Sequence, residues 1–91
     1  MIGSVRLDLR LPGCHSLKEK RGILRRFLAG TRRAYGVAVA EVDAQDSIQH
    51  AVVEAAVVGN ARAHLHSVLT RVVRDADRPG EMTLTNCEMS I

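Results

Sequence analysis

Strict alternation of apolar and polar residues over residues 4–11, Ser-Val-Arg-Leu-Asp-Leu-Arg-Leu, marks the first element. This period of two predicts a half-buried strand whose apolar side chains face a core. Pro12 and Gly13 end the strand. Apolar residues then recur at helical spacing, and Ser16 with Glu19 has the form of a capping box. The pattern predicts a helix over about 16–35, ended by Gly36.

Two more strands, a second helix and a final strand follow. Residues 37–43 and 50–58 are short runs rich in Val and Ala, typical of strands, and the polar segment 44–49 connects them. A second apolar stripe predicts a helix over about 60–77, with Asn60 as its N-cap. Residues 81–89 alternate again and predict the last strand, so the element order is β-α-β-β-α-β.

This order predicts a ferredoxin-like α+β sandwich. Each helix has one apolar stripe, so both helices should cover the same face of a four-stranded antiparallel sheet, with strands 1 and 3 in the centre. The other face should stay open, which in so small a domain predicts a homo-oligomer, most simply a dimer. The residues expected on the open face are Arg6, Asp8, Arg10, Val37, Val39, Glu41, Val52, Glu54, Ala56 and Val58.

Length and composition restrict the class of protein further. The 91 residues make one domain, 1–91, and no apolar run approaches the roughly 18 residues of a membrane span. The N-terminus does not resemble a signal peptide, so a cytoplasmic protein without a membrane partner is expected. Cys14 and Cys87 match no zinc or redox spacing and should be unpaired thiols. His64 and His66 lie two apart on a helix and do not share a face, so no metal or other cofactor is expected.

The net charge of +3 is unevenly placed. Residues 1–35 hold nine Lys and Arg against two acids, whereas residues 36–91 hold four Arg against eight acids. The predicted first helix sets one acid, Glu19, against seven cations: Lys18, Lys20, Arg21, Arg25, Arg26, Arg32 and Arg33. Solvated helix faces usually mix signs, and a polyanion would relieve the mutual repulsion of these charges. The pattern therefore favours RNA binding through phosphate contacts, with a plain solvated face as the alternative.

The predicted topology also gathers polar residues at one end of the sheet. The start of the first helix and the 43–50 connection should meet there, and they supply a candidate ligand end: His15, Ser16, Asp43, Gln45, Asp46 and His50. A His–Asp pair there could act in acid–base catalysis, and Cys14 could act as a nucleophile. The N-terminus of the helix could bind an anion. The spacing of these residues along the chain matches no motif for catalysis or anion binding. We therefore expect a non-enzymatic protein, with a small anionic-ligand-binding or hydrolytic domain as the alternative.

Three segments of the chain resemble the YlxP-like bacterial family of unknown function. They are Ser-Leu-Lys-Glu-Lys-Arg at 16–21, Val-Ala-Glu-Val-Asp-Ala-Gln-Asp at 39–46 and Val-Gly-Asn at 58–60. The resemblance covers essentially the whole chain and implies a ferredoxin-like fold. Genes of such proteins often lie beside those of translation initiation and ribosome-binding factors, which implies a link to ribosome assembly or translation. The partner expected on this basis is RNA or a ribosomal subunit. The chain departs from the family at Ile48, commonly an aromatic, and at Glu54, often Gly.

Overall fold

The computed structural model describes residues 1–91 and contains four strands and two helices in the predicted order. The strands are β1 (Ile2–Arg10), β2 (Ala38–Asp43), β3 (His50–Val58) and β4 (Thr83–Ser90), and the helices are α1 (Leu17–Tyr35) and α2 (Arg62–Ala76). The sheet order is β2-β3-β1-β4, and every neighbouring pair is antiparallel. The predicted ferredoxin-like α+β sandwich is confirmed. Neither helix is both long and apolar enough to cross a membrane.

The core lies between one face of the sheet and the two helices. The alternating apolar residues that follow Gly3 along β1 are buried, and the side chains between them are partly exposed. Phe27 of α1 and Leu69 of α2 complete this core and are both fully buried. Each such side chain contributes about 1.5–3 kcal/mol when it leaves water, so the two helices are held to the same face.

Local hydrogen bonds fix both ends of α1. Ser16 Oγ accepts from the Glu19 amide at 3.1 Å, so the Ser16 half of the predicted capping box is confirmed. Glu19 Oε2 accepts from the amide of His15 at 3.1 Å, one residue before the N-cap. Gly36 adopts the left-handed conformation, φ +63°, and donates to the Arg32 carbonyl at 2.9 Å. The predicted cap of α2 is wrong. Ala61, not Asn60, occupies the N-cap, and no side chain caps that helix.

The predicted orientation of β2 is also wrong. Val39 pairs with Ala55 and Glu41 with Val53, and both β3 partners are buried beneath the helices. Val37, Val39 and Glu41 therefore face the helical layer, and β2 turns Ala38 and Ala40 to the open face. A register shift between Glu41 and Asp43 follows.

The open face of β1 and β3 agrees with the expectation. Arg6 lies between two carboxylates there, with Nη1 3.8 Å from Glu54 Oε2 and Nη2 3.6 Å from Asp43 Oδ2. The far end of this face is apolar, and Ile2 and Val58 are strongly exposed, at 66% and 76%. The open face thus divides into a charged part and an apolar part.

Candidate nucleic-acid interface

Six cations of α1 are exposed to solvent: Lys18, Arg21, Arg25, Arg26, Arg32 and Arg33. None of them lies within ion-pair distance of a carboxylate. Glu19, the acid of this helix, already accepts the His15 amide in the capping box. The outer face of α1 is therefore a surface of uncompensated positive charge.

Lys20 does not belong to this surface, and its predicted place in the nucleic-acid interface is wrong. Its side chain is fully buried. Lys20 Nζ donates to the carbonyls of Ala44 and Ser47, at 2.7 Å each, and lies 2.8 Å from Glu41 Oε2. An ammonium group leaves water only when such partners replace its hydration. Lys20 therefore holds the β2–β3 connection against α1 and is unavailable to a partner.

Charge is segregated by layer rather than simply by position along the chain. Ten of the thirteen Lys and Arg residues lie on the two helices, and eight of the ten acids lie outside them. The sequence count by halves missed the contribution of α2, whose Arg62, Arg71 and Arg74 are exposed. Because both helices cover one face of the sheet, the helical layer is positive and the remainder is negative. Such a field orients a polyanion toward one side of the molecule.

The exposed cations of α1 form two rows. The groove row, defined as Arg21, Arg25 and Arg32, lines a shallow groove of about 240 Å³ between α1 and β2, with Leu24, Leu28, Ala29 and Glu41. The outer row, defined as Lys18, Arg26 and Arg33, lies outside that groove. Arg32 Nη2 donates to the Val39 carbonyl at 2.7 Å, which fixes this guanidinium against the edge strand β2.

The structure brings together the segments of the predicted ligand end but not all their side chains. The Leu11 amide donates to Gln49 O at 3.0 Å, and Gln49 Nε2 donates to Cys14 O at 3.0 Å, so strand 1 and the 43–50 connection do meet. His50, however, lies on the sheet with Nε2 3.5 Å from Asp8 Oδ1. Asp43 points to Arg6 on the open face.

The remaining residues of this end do not form a catalytic pair. His15, Gln45 and Asp46 are exposed, and neither His15 nor Asp46 lies within ion-pair distance of an opposite charge. Ser16 is occupied as the cap of α1. No group of three or more His, Cys, Asp or Glu side chains is close enough together to hold a metal ion.

The two cysteines are free, and they lie in different environments. Cys14 is buried, whereas Cys87 is exposed on β4. Burial raises the pKa of the Cys14 thiol, and the negative charges of Glu19 and Glu81 raise it further. A raised pKa lowers the fraction of the thiolate that acts as a nucleophile. This environment is that of a core thiol and does not favour a reactive one.

Fold and charge together define a small ferredoxin-like domain with a basic helical layer. The chain belongs to DUF503, a family of proteins of unknown function, whose family model matches residues 2–89. It is similar to the uncharacterized protein YlxP of Bacillus subtilis (strain 168), with 31% identity over 90 residues that cover 97% of this chain and 98% of that protein. The YlxP-like resemblance is confirmed. Lys20 and Glu41, which form the buried ion pair, belong to two of the segments that carried it.

Proposed function

We propose that this protein is a non-enzymatic accessory protein that contacts RNA, as such or within a ribosomal particle, through the exposed basic face of α1. The observation that carries the proposal is the set of six exposed α1 cations without carboxylate partners. Five of the six are arginines, whose planar fork suits two-pronged hydrogen bonding to phosphate. The gene neighbourhood implied by the YlxP-like resemblance favours ribosomal RNA among polyanions.

Electrostatics gives this proposal a quantitative form. Each phosphate neutralised by Lys or Arg releases counterions, so the logarithm of affinity falls with the logarithm of salt concentration by about 0.9 per contact. Three contacts from the groove row correspond to a loss of about 40-fold between 50 and 200 mM salt. Contacts from both rows raise that loss to about 10³-fold. The expected binding is steep in salt and weak in sequence preference, because phosphates carry no base identity.

The alternative, a ligand-binding or hydrolytic domain, has less support. The His15 imidazole has no carboxylate within ion-pair distance, and His50 is held by Asp8 away from the start of α1. The capping box already uses the amides of His15 and Glu19. Cys14 is buried. The basic face of α1 therefore carries the functional proposal.

Co-sedimentation with purified ribosomal subunits tests the proposal. The wild-type protein is expected to pellet with subunits at about 50 mM salt and to be released at about 500 mM salt, because the higher concentration screens attraction between charges more strongly. Arg21→Glu with Arg25→Glu should weaken binding without unfolding the domain, since both side chains are exposed. Arg25→Glu and Arg10→Glu form a matched pair, because they change the net charge equally and lie on different surfaces. Absence of binding at low salt, or binding unchanged by the double reversal, would contradict the proposal.

A further inference from the structure

We infer that the two rows of cations on α1 recognise double-stranded rather than single-stranded RNA, with one backbone strand along the groove row and the other along the outer row. This inference rests on the proposed function and adds the class of RNA. It depends on three observations: the surroundings of the aromatic residues, the spacing of the two rows and the rigidity of the surface that carries them.

The surface offers no freely exposed Phe, Tyr or Trp ring on which a base can stack. The chain has two aromatic residues, Phe27 and Tyr35. Phe27 is fully buried, with the Arg78 guanidinium 5.2 Å from the ring centroid. Tyr35 is half-buried, and its hydroxyl donates to the Asp75 carboxylate of α2. Proteins that bind single-stranded RNA commonly stack unpaired bases on exposed Phe, Tyr or Trp rings, and neither Phe27 nor Tyr35 is freely exposed for that role.

The spacing of the rows suits two backbones better than one. With 3.6 residues per turn, Arg26 and Arg33 lie roughly 100–120° around the helix axis from the groove row, and Lys18 lies roughly 40° from it. Arg21 to Arg32 extends about 16 Å, and Lys18 to Arg33 extends about 22 Å, at 1.5 Å per residue. A single flexible strand can follow one row at a time. A duplex presents two phosphate backbones at a fixed separation and can occupy both rows together.

The surface is also preorganised. The helix is capped at both ends, by Ser16 and by Gly36. Arg32 is anchored to the Val39 carbonyl, so one groove-row guanidinium is held in place before binding. Lys20 offsets the charge of Glu41, the acid that lines the groove, at a distance of 2.8 Å. A rigid surface loses little entropy when it meets a rigid duplex, which favours the duplex over a strand that must be ordered.

Fluorescence anisotropy with two labelled RNAs tests this inference. One probe is a hairpin with a stem of about 16 base pairs, a length that spans two minor grooves, and the other is a U-rich single strand of equal nucleotide number. At 50 mM salt the duplex is expected to bind at least about tenfold more tightly, since it engages more phosphates at once. Circular dichroism of each variant checks that it is folded.

Two double reversals with the same change in net charge separate the rows. Arg26→Glu with Arg33→Glu, in the outer row, should weaken duplex binding more than it weakens single-strand binding. Arg21→Glu with Arg25→Glu, in the groove row, should weaken both. Equal wild-type affinities for the two RNAs, or equal losses on both RNAs from the outer-row variant, would overturn the duplex inference and leave the RNA proposal standing. Binding to neither RNA would overturn the RNA proposal together with the inference.

Discussion

Lys20 Nζ lies 2.8 Å from Glu41 Oε2 and forms an ion pair that joins α1 to β2 beneath the surface. The same ammonium donates to the carbonyls of Ala44 and Ser47 and so closes the connection between β2 and β3 onto the helix. Ala44 has a φ of +59°, in the left-handed region that costs a non-glycine residue about 1–2 kcal/mol. The bond from Lys20 to its carbonyl offsets this cost. The buried cation thus fixes the conformation of the β2–β3 connection, which begins within the segment 39–46 that resembles the family.

Replacement of Lys20 by Met should destabilise the protein strongly. The substitution leaves the Glu41 carboxylate without its counter-charge and two carbonyls without a donor, and breaking a buried pair typically costs about 3–5 kcal/mol. Urea denaturation followed by circular dichroism measures the change in the free energy of unfolding. Lys18→Met is the matched control, since Lys18 is exposed and its loss should change stability by less than about 0.5 kcal/mol. A loss below about 1 kcal/mol for Lys20→Met would contradict the role assigned to it.

Gly30, inside α1, and Gly36, which ends it, should respond to substitution by alanine in opposite directions. A Cβ at Gly30 would meet nothing within 4 Å, so Gly30→Ala should stabilise the helix by about 0.5–1 kcal/mol through its lower backbone entropy. Gly36 has a φ of +63°, and Gly36→Ala should cost about 1–2 kcal/mol. Thermal unfolding of the two variants measures both changes. A destabilised Gly30→Ala variant would contradict the expectation that a Cβ fits at this position without strain.

The thiols should differ in reactivity and in their effect on alkaline stability. At neutral pH, Cys87 should react rapidly with a maleimide, and Cys14 should react only when the fold opens. Because burial, Glu19 and Glu81 raise the Cys14 pKa above 9.0 in the folded state, the thiol contributes stability below that pH. This contribution is lost as the pH rises through the folded-state pKa.

Denaturation between pH 7 and 11 checks the sign of this dependence. The free energy of unfolding should fall above about pH 9 in the wild type, and Cys14→Ala should reduce the slope. Cys87→Ala is the control and should keep it. The hydrogen bond to Asp75 also raises the pKa of Tyr35, above 10.0, which adds to the loss at the alkaline end. Stability that rises with pH in this range would contradict both assignments.

Association of two copies through the open face of the sheet stays a prediction. The apolar end of that face exposes Ile2, Val58 and the small side chain of Ala38. Val58→Glu should shift the protein toward the monomer in light scattering at high micromolar concentration. Ala63→Glu, on exposed α2, is the matched control and should leave the mass unchanged. A monomeric wild type at that concentration would rule out a stable dimer.

The fold was predictable because its local signals agree with its long-range pairing. Residues 4–11 alternate in polarity without exception, and Ser16 with Glu19 marks the start of α1 in the sequence itself. The orientation of β2 was not predictable in the same way. Residues 37–42 are apolar on both alternations except at Glu41, so pairing with β3 decides which side is buried.

The basic surface of α1 was predictable only in part, because a local sequence pattern does not show which side chains long-range contacts bury. The charge pattern predicts the six exposed cations of α1, but it does not predict that Lys20 is buried. Lys20 precedes Leu24 by four residues and Phe27 by seven, so helical spacing places it within the apolar stripe. That spacing was the available signal for its burial. Its partner Glu41 is distant in sequence, and no local pattern links the two residues.

Nuclear magnetic resonance mapping of the isotope-labelled protein with fragments of ribosomal RNA shows directly which surface contacts the RNA. We expect chemical-shift changes at low salt to concentrate on α1, among the amides and guanidinium groups of the groove row and the outer row, and to vanish as salt is raised. Residues of the open sheet face, such as Glu54 and Val58, should keep their positions. Shifts concentrated on that face, or no shifts at low salt, would contradict the assignment of α1 as the RNA-contacting surface.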